Sequence, residues 1–297
     1  GYGMNSFIFS FHPNGLSLEG YLAKSSLEVW RVDLRGQGAS RPLLNRIPGK
    51  RNGRWVTRDP DDFKLEDLAL TDLRAAIDAV LSRTRTKADR VDVIGASLGG
   101  TIMFIHAVMT PECRIGSMVA VGSPVRWVKI HPVLRLAFSS PRLVGLVRLR
   151  GTRRMAELAL PQLVRLTPSV LSVYMNAGIT DTAAAREMVR TVEDPNRYVN
   201  RQIAHWIQHR DLVIRGSNIS ERLTEVTKPV MCVVANSDGI VPRETAEFPY
   251  SKVGSQVKRL LQVGTEDIAM AHADLFVSNE AQERVFFPIA EWLAEQI

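Results

Sequence analysis

The chain has 297 residues, of which 45% are hydrophobic and 23% charged, the balance of a globular protein with a sizeable core. It contains no run of about 18 apolar residues, so we expect no membrane span. Its two cysteines, Cys113 and Cys232, are too few for a disulfide framework and favour a reducing, cytoplasmic compartment. It also has no CxxC or HExxH motif, so we expect neither a metal nor a cofactor.

The net charge of +7 is compatible with a nucleic acid, a membrane surface or an acidic substrate as partner. Residues 126–165 hold nine basic side chains and one acid, Glu157, among many Leu and Val residues. Aromatic residues are sparse in this stretch, which argues against base stacking, so we expect no nucleic acid. A basic, apolar, helical stretch indicates contact with a membrane surface, although a solvated basic face remains the alternative.

Apolar patterning predicts strands that alternate with helices, which is typical of a mainly parallel sheet covered on both faces. We predict strands over 26–34, 90–95, 117–124, 229–238 and 257–264. We predict helices over 65–82, 98–109 and 279–297.

The alternation stops between residues 125 and 227, where helical patterns and prolines occur without a convincing strand. We therefore predict a core of residues 1–124 and 228–297, interrupted by a helical cap insertion, residues 125–227. Residues 41–58 are basic and contain Gly and Pro, so we predict a surface loop there.

The motif GASLG, residues 95–99, lies between a predicted strand and a predicted helix. A G-x-S-x-G turn in this context is typical of a nucleophile elbow, in which Ser97 has a strained backbone. We expect Gly95 and Gly99 to allow strand and helix to approach each other. The N–H of Leu98, at the start of the helix, would face an oxyanion.

A serine nucleophile needs a base and a carboxylate, which follow it in the order Ser, acid, His in this architecture. Asp238 lies at the end of the segment 229–238, and His272 lies in the loop after the strand over 257–264. The sequence therefore predicts a triad of Ser97, Asp238 and His272. Glu266, Asp267 and Asp274 flank His272 and are rival acids.

The segments SLEVWRVDLRGQGAS, VDVIGASLGG, ANSDGIVP and AHADLF together resemble the α/β-hydrolase superfamily. Within it, the chain is similar to bacterial serine hydrolases related to polyhydroxyalkanoate synthases and depolymerases. Those synthases carry a cysteine where this chain has Ser97, so the resemblance implies hydrolysis. It also implies that DLRGQG is a structural turn, in which we expect Asp33 and Arg35 to form a local ion pair.

These observations predict hydrolysis of a small or lipid-like carboxylic ester with a hydrophobic acyl group, through an acyl-enzyme. Acyl transfer or polyester depolymerisation on the same triad is one alternative. A non-catalytic binding relative of the fold is the other.

The first fifteen residues, GYGMNSFIFSFHPNG, allow two placements of the loop that supplies the second oxyanion N–H. In one, FIFSF is a strand and HPNG its loop. In the other, which the spacing and the resemblance favour, residues 1–5 form the loop, Tyr2 is the second donor and SLEGYLAKS is a helix. The resemblance then implies that strands of the central sheet precede Gly1.

Overall fold

A computed structural model describes residues 1–41, 47–51, 54–58, 61–142, 151–166 and 171–297. The strands are β1 Ile47–Arg51, β2 Arg54–Arg58, β3 Val91–Ala96, β4 Ile115–Val121, β5 Val213–Ile214, β6 Ser217–Asn218, β7 Val230–Ala235 and β8 Lys258–Val263. The α-helices are α1 Phe7–Ser10, α2 Leu18–Lys24, α3 Leu65–Asp67, α4 Leu73–Leu81, α5 Leu98–Met109, α6 Pro132–Ala137, α7 Thr152–Leu166, α8 Ala185–Met188, α9 Arg197–His209, α10 Ile219–Arg222, α11 Arg243–Lys252, α12 Asp274–Val277 and α13 Phe287–Ala294. One π-helical turn, Leu68–Asp72, joins α3 to α4, and another, Gln282–Phe286, precedes α13.

The central sheet of the described residues has four parallel strands in the order β3-β4-β7-β8. Gly95 pairs with Ala120, Ala120 with Cys232, and Cys232 with Leu260, so one row of residues crosses the whole sheet. All four strands therefore end at the same edge, and the loops that follow them meet there.

Helices cover both faces of this sheet, and the side chains of its inner strands alternate between two cores. Ala120 and Cys232 point into a core shared with helix α5, whereas Val121 and Val233 point into a core shared with helix α13. Every residue of β7 is buried. This is the pattern of a parallel strand covered on both faces, where apolar residues are required at every position.

Seven of the eight predicted elements are present. The helix over 65–82 is formed by α3, the π-helical turn and α4, and that over 98–109 is α5. The predicted strands over 90–95, 117–124, 229–238 and 257–264 are β3, β4, β7 and β8. The C-terminal helix is present but ends at Ala294. The prediction of a mostly parallel sheet flanked by helices is thus confirmed.

The strand predicted over 26–34 is wrong, because this segment has no regular secondary structure. It faces the free edge of β3 across an apolar cavity of about 580 Å³, lined by Val29 and Val93 among others. A strand needs a hydrogen-bonded neighbour, and among the described residues this segment pairs with no strand. Trp30 and Val32 consequently stay about two-fifths exposed.

The loop predicted over 41–58 is also wrong, because β1 and β2 pair as an antiparallel hairpin, with Ile47 opposite Arg58. Residues 42–46 and 52–53 of that prediction lie outside the described part of the chain.

The insertion, residues 125–227, contains helices α6 to α10 and one short antiparallel hairpin, β5 with β6. Its residues 143–150 and 167–170 lie outside the described part of the chain. The boundaries of core and insertion stay a prediction. Among the helices described, none combines the length and apolarity needed to cross a membrane.

The local ion pair predicted between Asp33 and Arg35 is wrong. The Arg35 guanidinium instead binds Asp72, with its Nη2 2.5 Å from Oδ1 of that carboxylate. Asp33 accepts hydrogen bonds from the backbone N–H groups of Ser6 and Ala39. The two side chains therefore connect the turn to different elements, one to the helix and the other to the N-terminal segment.

Candidate active site

Ser97 lies in the sharp turn between strand β3 and helix α5, with φ of 53° and ψ of −123°. A positive φ is unusual for a residue with a side chain and costs roughly 1–3 kcal/mol unless the surroundings enforce it. Here the enforcement comes from both sides. The Ser97 N–H donates to the Val121 carbonyl at 2.8 Å, and its own carbonyl accepts from Gly100 N–H at 3.0 Å.

Two glycines allow the close approach of strand and helix at this turn. A Cβ on Gly95 would lie 2.5 Å from Gly100 Cα, and a Cβ on Gly100 would lie 2.0 Å from Ser123 Oγ. A Cβ on Gly99 would meet nothing within 4 Å. The expectation that Gly99 permits the approach is therefore wrong, because Gly100 is the residue that faces the strand.

His272 and Asp238 lie together at the carboxyl edge of the sheet, in the loops after β8 and β7. Nδ1 of His272 is 2.5 Å from Oδ2 of Asp238. The Asp238 side chain is only 1% exposed, and its Oδ1 accepts the N–H groups of Ile240 and Val241, each at 2.8 Å. An ionised carboxylate can only accept hydrogen bonds, so we assign the proton of this contact to Nδ1 of the histidine, which leaves Nε2 as an acceptor.

Gly122 connects this pair to Ser97. It follows Val121, whose carbonyl holds the Ser97 N–H, and a Cβ on Gly122 would lie 3.1 Å from Cε1 of His272. The serine and the histidine therefore lie on either side of the end of β4. Within the described residues no hydrogen bond joins the Ser97 hydroxyl to the His272 ring. Such contacts are often long before a substrate binds.

The rival acids do not bind the His272 ring. Asp274 is fully buried and accepts from the N–H groups of Ala271 and Asn176 and from the Thr180 hydroxyl. Burial raises the pKa of the Asp274 carboxyl, and these hydrogen bonds offset part of that effect. Asp238 is thus the acid that the structure brings to the histidine.

The N-terminal residues approach the serine as one of the two predicted placements requires. Phe7–Ser10 is helix α1, so the less favoured placement, in which FIFSF is a strand, is wrong, whereas SLEGYLAKS does form helix α2, capped by Ser17. A Cβ on Gly1 would lie 3.7 Å from Cβ of Ser97. The turn is held in place by Asn5, whose N–H donates to the Thr191 carbonyl at 2.9 Å.

Aromatic side chains surround the site. The Tyr174 ring lies 6.2 Å from the His272 ring, and Tyr2 packs edge-on against Phe138 with ring centroids 5.9 Å apart. Burial raises the pKa of Tyr2 to about 12, and burial with the charges of Asp238 and Asp274 does the same for Tyr174. Both phenols therefore stay neutral, and the walls of the site are apolar rings with few charges.

Sequence reasoning missed Gly122, Ser123 and Tyr174. The dipeptide Gly122-Ser123 at the end of the β4 strand, next to Pro124, carried a usable signal, since a glycine at a strand end indicates a turn or a close approach. Tyr174 carried no such signal, because it is far from His272 in the sequence and only the tertiary fold brings the two side chains together.

Comparison with protein families gives a match over residues 17–263 to Hydrolase_4, described as serine aminopeptidase, S33. A search of curated protein sequences found no match.

Solved structures with a similar fold include a monoacylglycerol lipase from Paleococcus ferrophilus, at 16% identity and a TM-score of 0.63, covering 100% of this chain and 92% of that one. A soluble variant of monoglyceride lipase from Saccharomyces cerevisiae, in complex with a substrate analogue, is 18% identical with a TM-score of 0.63, covering 100% and 84%. A thermophilic esterase from Thermogutta terrifontis is 18% identical with a TM-score of 0.58, covering 100% and 88%. At these identities the likeness establishes the α/β-hydrolase fold.

Proposed function

The chain belongs to the Hydrolase_4 family of α/β-hydrolases, and from this premise we propose that it cleaves carboxylic esters through an acyl-enzyme on Ser97. The observation that carries the proposal is the arrangement around the end of β4. Ser97, whose positive φ is enforced by its hydrogen bonds, lies on one side of this strand end. The His272–Asp238 pair lies on the other side. Lipases and an esterase among the structures of similar fold support the ester as substrate class.

In the proposed reaction, Nε2 of His272 takes the proton of the Ser97 hydroxyl as Oγ attacks the ester carbonyl. Asp238 keeps Nδ1 protonated and stabilises the imidazolium that forms. The proton then passes from Nε2 to the departing alkoxide as the ester C–O bond breaks. Water next attacks the acyl-enzyme and gives a proton to Nε2 of His272. His272 passes that proton to Ser97 Oγ as the acyl–Oγ bond breaks, which releases the carboxylic acid and regenerates the free serine.

The oxyanion would accept from the N–H of Leu98, because the first N–H groups of a helix have no intrahelical acceptor. Its second donor would come from the turn over residues 1–4, with Tyr2 as the proposed residue. One such donor contributes roughly 10²–10³ in rate. The aromatic walls given by Tyr2, Phe138 and Tyr174 favour a hydrophobic acyl group.

The test is turnover of p-nitrophenyl esters from acetate to long-chain acyl groups, with Ser97→Ala as control, and labelling by a fluorophosphonate. We expect a burst, preference for longer acyl groups, and label on Ser97 alone. A p-nitroanilide amide serves as the aminopeptidase arm. If the amide were cleaved in preference to the esters, the proposed substrate class would change from esters to peptides. Absence of turnover and of label would leave a non-catalytic binding protein.

Acyl transfer and polyester depolymerisation use the same triad, so only the products separate them from simple hydrolysis. Added alcohols would divert the acyl group from water if transfer dominated. Release of soluble hydroxy acids from a polyhydroxyalkanoate suspension would indicate depolymerisation.

We also propose that the insertion contacts an anionic lipid surface. Two of its helices expose large apolar side chains, with Leu136 of α6 and Leu158 of α7 each 78% exposed. Exposed arginines, Arg135 and Arg154, lie one residue before Leu136 and four residues before Leu158, respectively. Apolar side chains beside arginines match the chemistry of such a surface, where each cation contributes about 1 kcal/mol.

Sedimentation with vesicles tests the contact. We expect binding to phosphatidylglycerol vesicles, weaker binding at high salt, and little to phosphatidylcholine. The double variant Leu136→Gln/Leu158→Gln should bind about tenfold more weakly, roughly 1.4 kcal/mol. The control is Phe287→Gln, which removes an apolar side chain that is 52% exposed outside the insertion. Equal loss in both variants would contradict the proposal.

A further inference from the structure

The Asp274 carboxylate joins the loop of His272 to the insertion. It is 0% exposed, and Oδ2 accepts the N–H groups of Ala271 at 2.7 Å and Asn176 at 2.9 Å. Oδ1 accepts the Thr180 hydroxyl at 2.8 Å. A buried carboxylate is costly unless its lone pairs are satisfied, and here two donors out of three come from a different segment.

His272 lies between two fixed peptide groups as a result. The N–H before it, on Ala271, is held by Asp274. The N–H after it, on Ala273, donates to the Tyr174 carbonyl at 2.8 Å. The backbone that carries the imidazole is therefore anchored on both sides, and both anchors involve groups attached to the stretch of residues 173–180.

The same stretch also contacts the loop of the acid. The Gly239 N–H, next to Asp238, donates to the Val173 carbonyl at 3.0 Å. The two loops touch each other directly as well, because the Ser237 N–H donates to the Met270 carbonyl at 2.9 Å. The relative placement of Asp238 and His272 thus depends on this direct contact and on the contacts that meet at residues 173–180.

We propose that Asp274 is a positioning residue for the general base, fixing the peptide that carries His272 so that its ring stays between Asp238 and Ser97. Its role in catalysis rests on the proposed ester hydrolysis, whereas its effect on the histidine does not. An amide in its place has one acceptor oxygen for these donors, and its NH₂ group would face an N–H or O–H. Misplacement of a reacting group by about 1 Å can cost about 10²-fold in rate.

The test compares Asp274→Asn with Thr180→Val, which removes one donor, and Thr180→Ser, which restores it. We expect kcat per fluorophosphonate-labelled site to fall 10- to 100-fold in Asp274→Asn and a few-fold in Thr180→Val, with KM little changed. Thr180→Ser should recover the wild-type kcat. Ser220→Ala is the control. Ser220 is as buried as Asp274 and its hydroxyl is also hydrogen-bonded, but it lies on helix α10 and its bonds go to Leu212 and Val125.

A second readout does not need activity. The proton between Nδ1 of His272 and Asp238 should give a low-field NMR signal in the wild type that broadens or shifts in Asp274→Asn and not in Ser220→Ala. If Asp274→Asn folds and both its NMR signal and its kcat are unchanged, the positioning role of Asp274 is overturned, while the proposed ester hydrolysis is unaffected. A wild type without ester turnover, but with a signal that Asp274→Asn loses, would overturn the proposed reaction and leave the positioning role supported.

Discussion

Asp238 holds His272 with one carboxylate oxygen and its own loop with the other. Oδ2 lies 2.5 Å from Nδ1 of the histidine, while Oδ1 accepts the N–H groups of Ile240 and Val241. The carboxylate is therefore fixed before any substrate arrives, and it sets which nitrogen of the imidazole carries the proton.

The first prediction concerns that proton. Asp238→Asn should lower kcat for ester hydrolysis by about 10⁴-fold, because an amide NH₂ would favour the wrong histidine tautomer. The matched control is Asp267→Asn, in the same loop as His272 but without a contact to its ring. Steady-state kinetics decide it, and comparable losses in both variants would argue against Asp238 as the orienting acid.

The second prediction concerns the two adjacent glycines in the first turn of helix α5. Gly99→Ala should leave stability unchanged or raise it by up to about 1 kcal/mol, since alanine favours helix and the new Cβ meets nothing. Gly100→Ala should lower it by about 1–3 kcal/mol, because its Cβ would collide with the Ser123 hydroxyl. Urea unfolding measures both. Equal changes in the unfolding free energy of the two variants would contradict the prediction, because they would show that Ser123 can move away from a Cβ at position 100.

The third prediction concerns the backbone of Ser97. Both Ser97→Ala and Ser97→Gly should abolish turnover, but only glycine relieves the positive φ. The backbone strain that glycine relieves is roughly 1–3 kcal/mol, and the greater conformational entropy of glycine in the unfolded chain offsets part of it. We therefore expect Ser97→Gly to be about 1 kcal/mol more stable than Ser97→Ala. Unfolding free energies would refute this if the glycine variant were the less stable one.

The fourth prediction concerns pH and His106, which is 2% exposed on helix α5 and bonded through Nδ1 to the Ala69 carbonyl at 2.9 Å. Burial lowers the pKa of His106 below its usual value of 6.5. Between the two pKa values only the unfolded chain takes up the proton, so the stability contributed by this group is lost as pH falls below about 6.5.

His106→Asn retains a donor for the Ala69 carbonyl and has no such titration. Urea unfolding between pH 5 and 8 should therefore show the free energy of unfolding of the wild type falling more steeply than that of the variant. The difference can reach about 1.4 kcal/mol per pH unit. Parallel pH profiles would mean that the His106 pKa is the same in folded and unfolded chains.

Sequence patterns predicted the elements whose formation depends on local features. Strand β7 is apolar throughout, as burial on both faces requires, and the turn at Ser97 has the small residues that its geometry demands. The order of Asp238 and His272 after successive strands was also sufficient to predict that they meet, because parallel strands end at a common edge.

Features that depend on a distant neighbour were missed. The pattern of residues 26–34 fits a strand, but no strand among the described residues pairs with it. Arg35 has an acid two residues away, yet its partner, Asp72, is brought to it by the helical segment over 65–81. Which of Gly99 and Gly100 faces the strand depends on the helix rotation after a strained residue, and sequence spacing does not determine that rotation.

The hydrogen bonds of residues 173–180 have a consequence for how a substrate reaches the serine. A movement that carried this stretch away with the rest of the insertion would break the contacts at Gly239, Ala273 and Asp274 and disorganise the acid and the base together. We therefore expect that any displacement that admits a substrate leaves residues 173–180 in place.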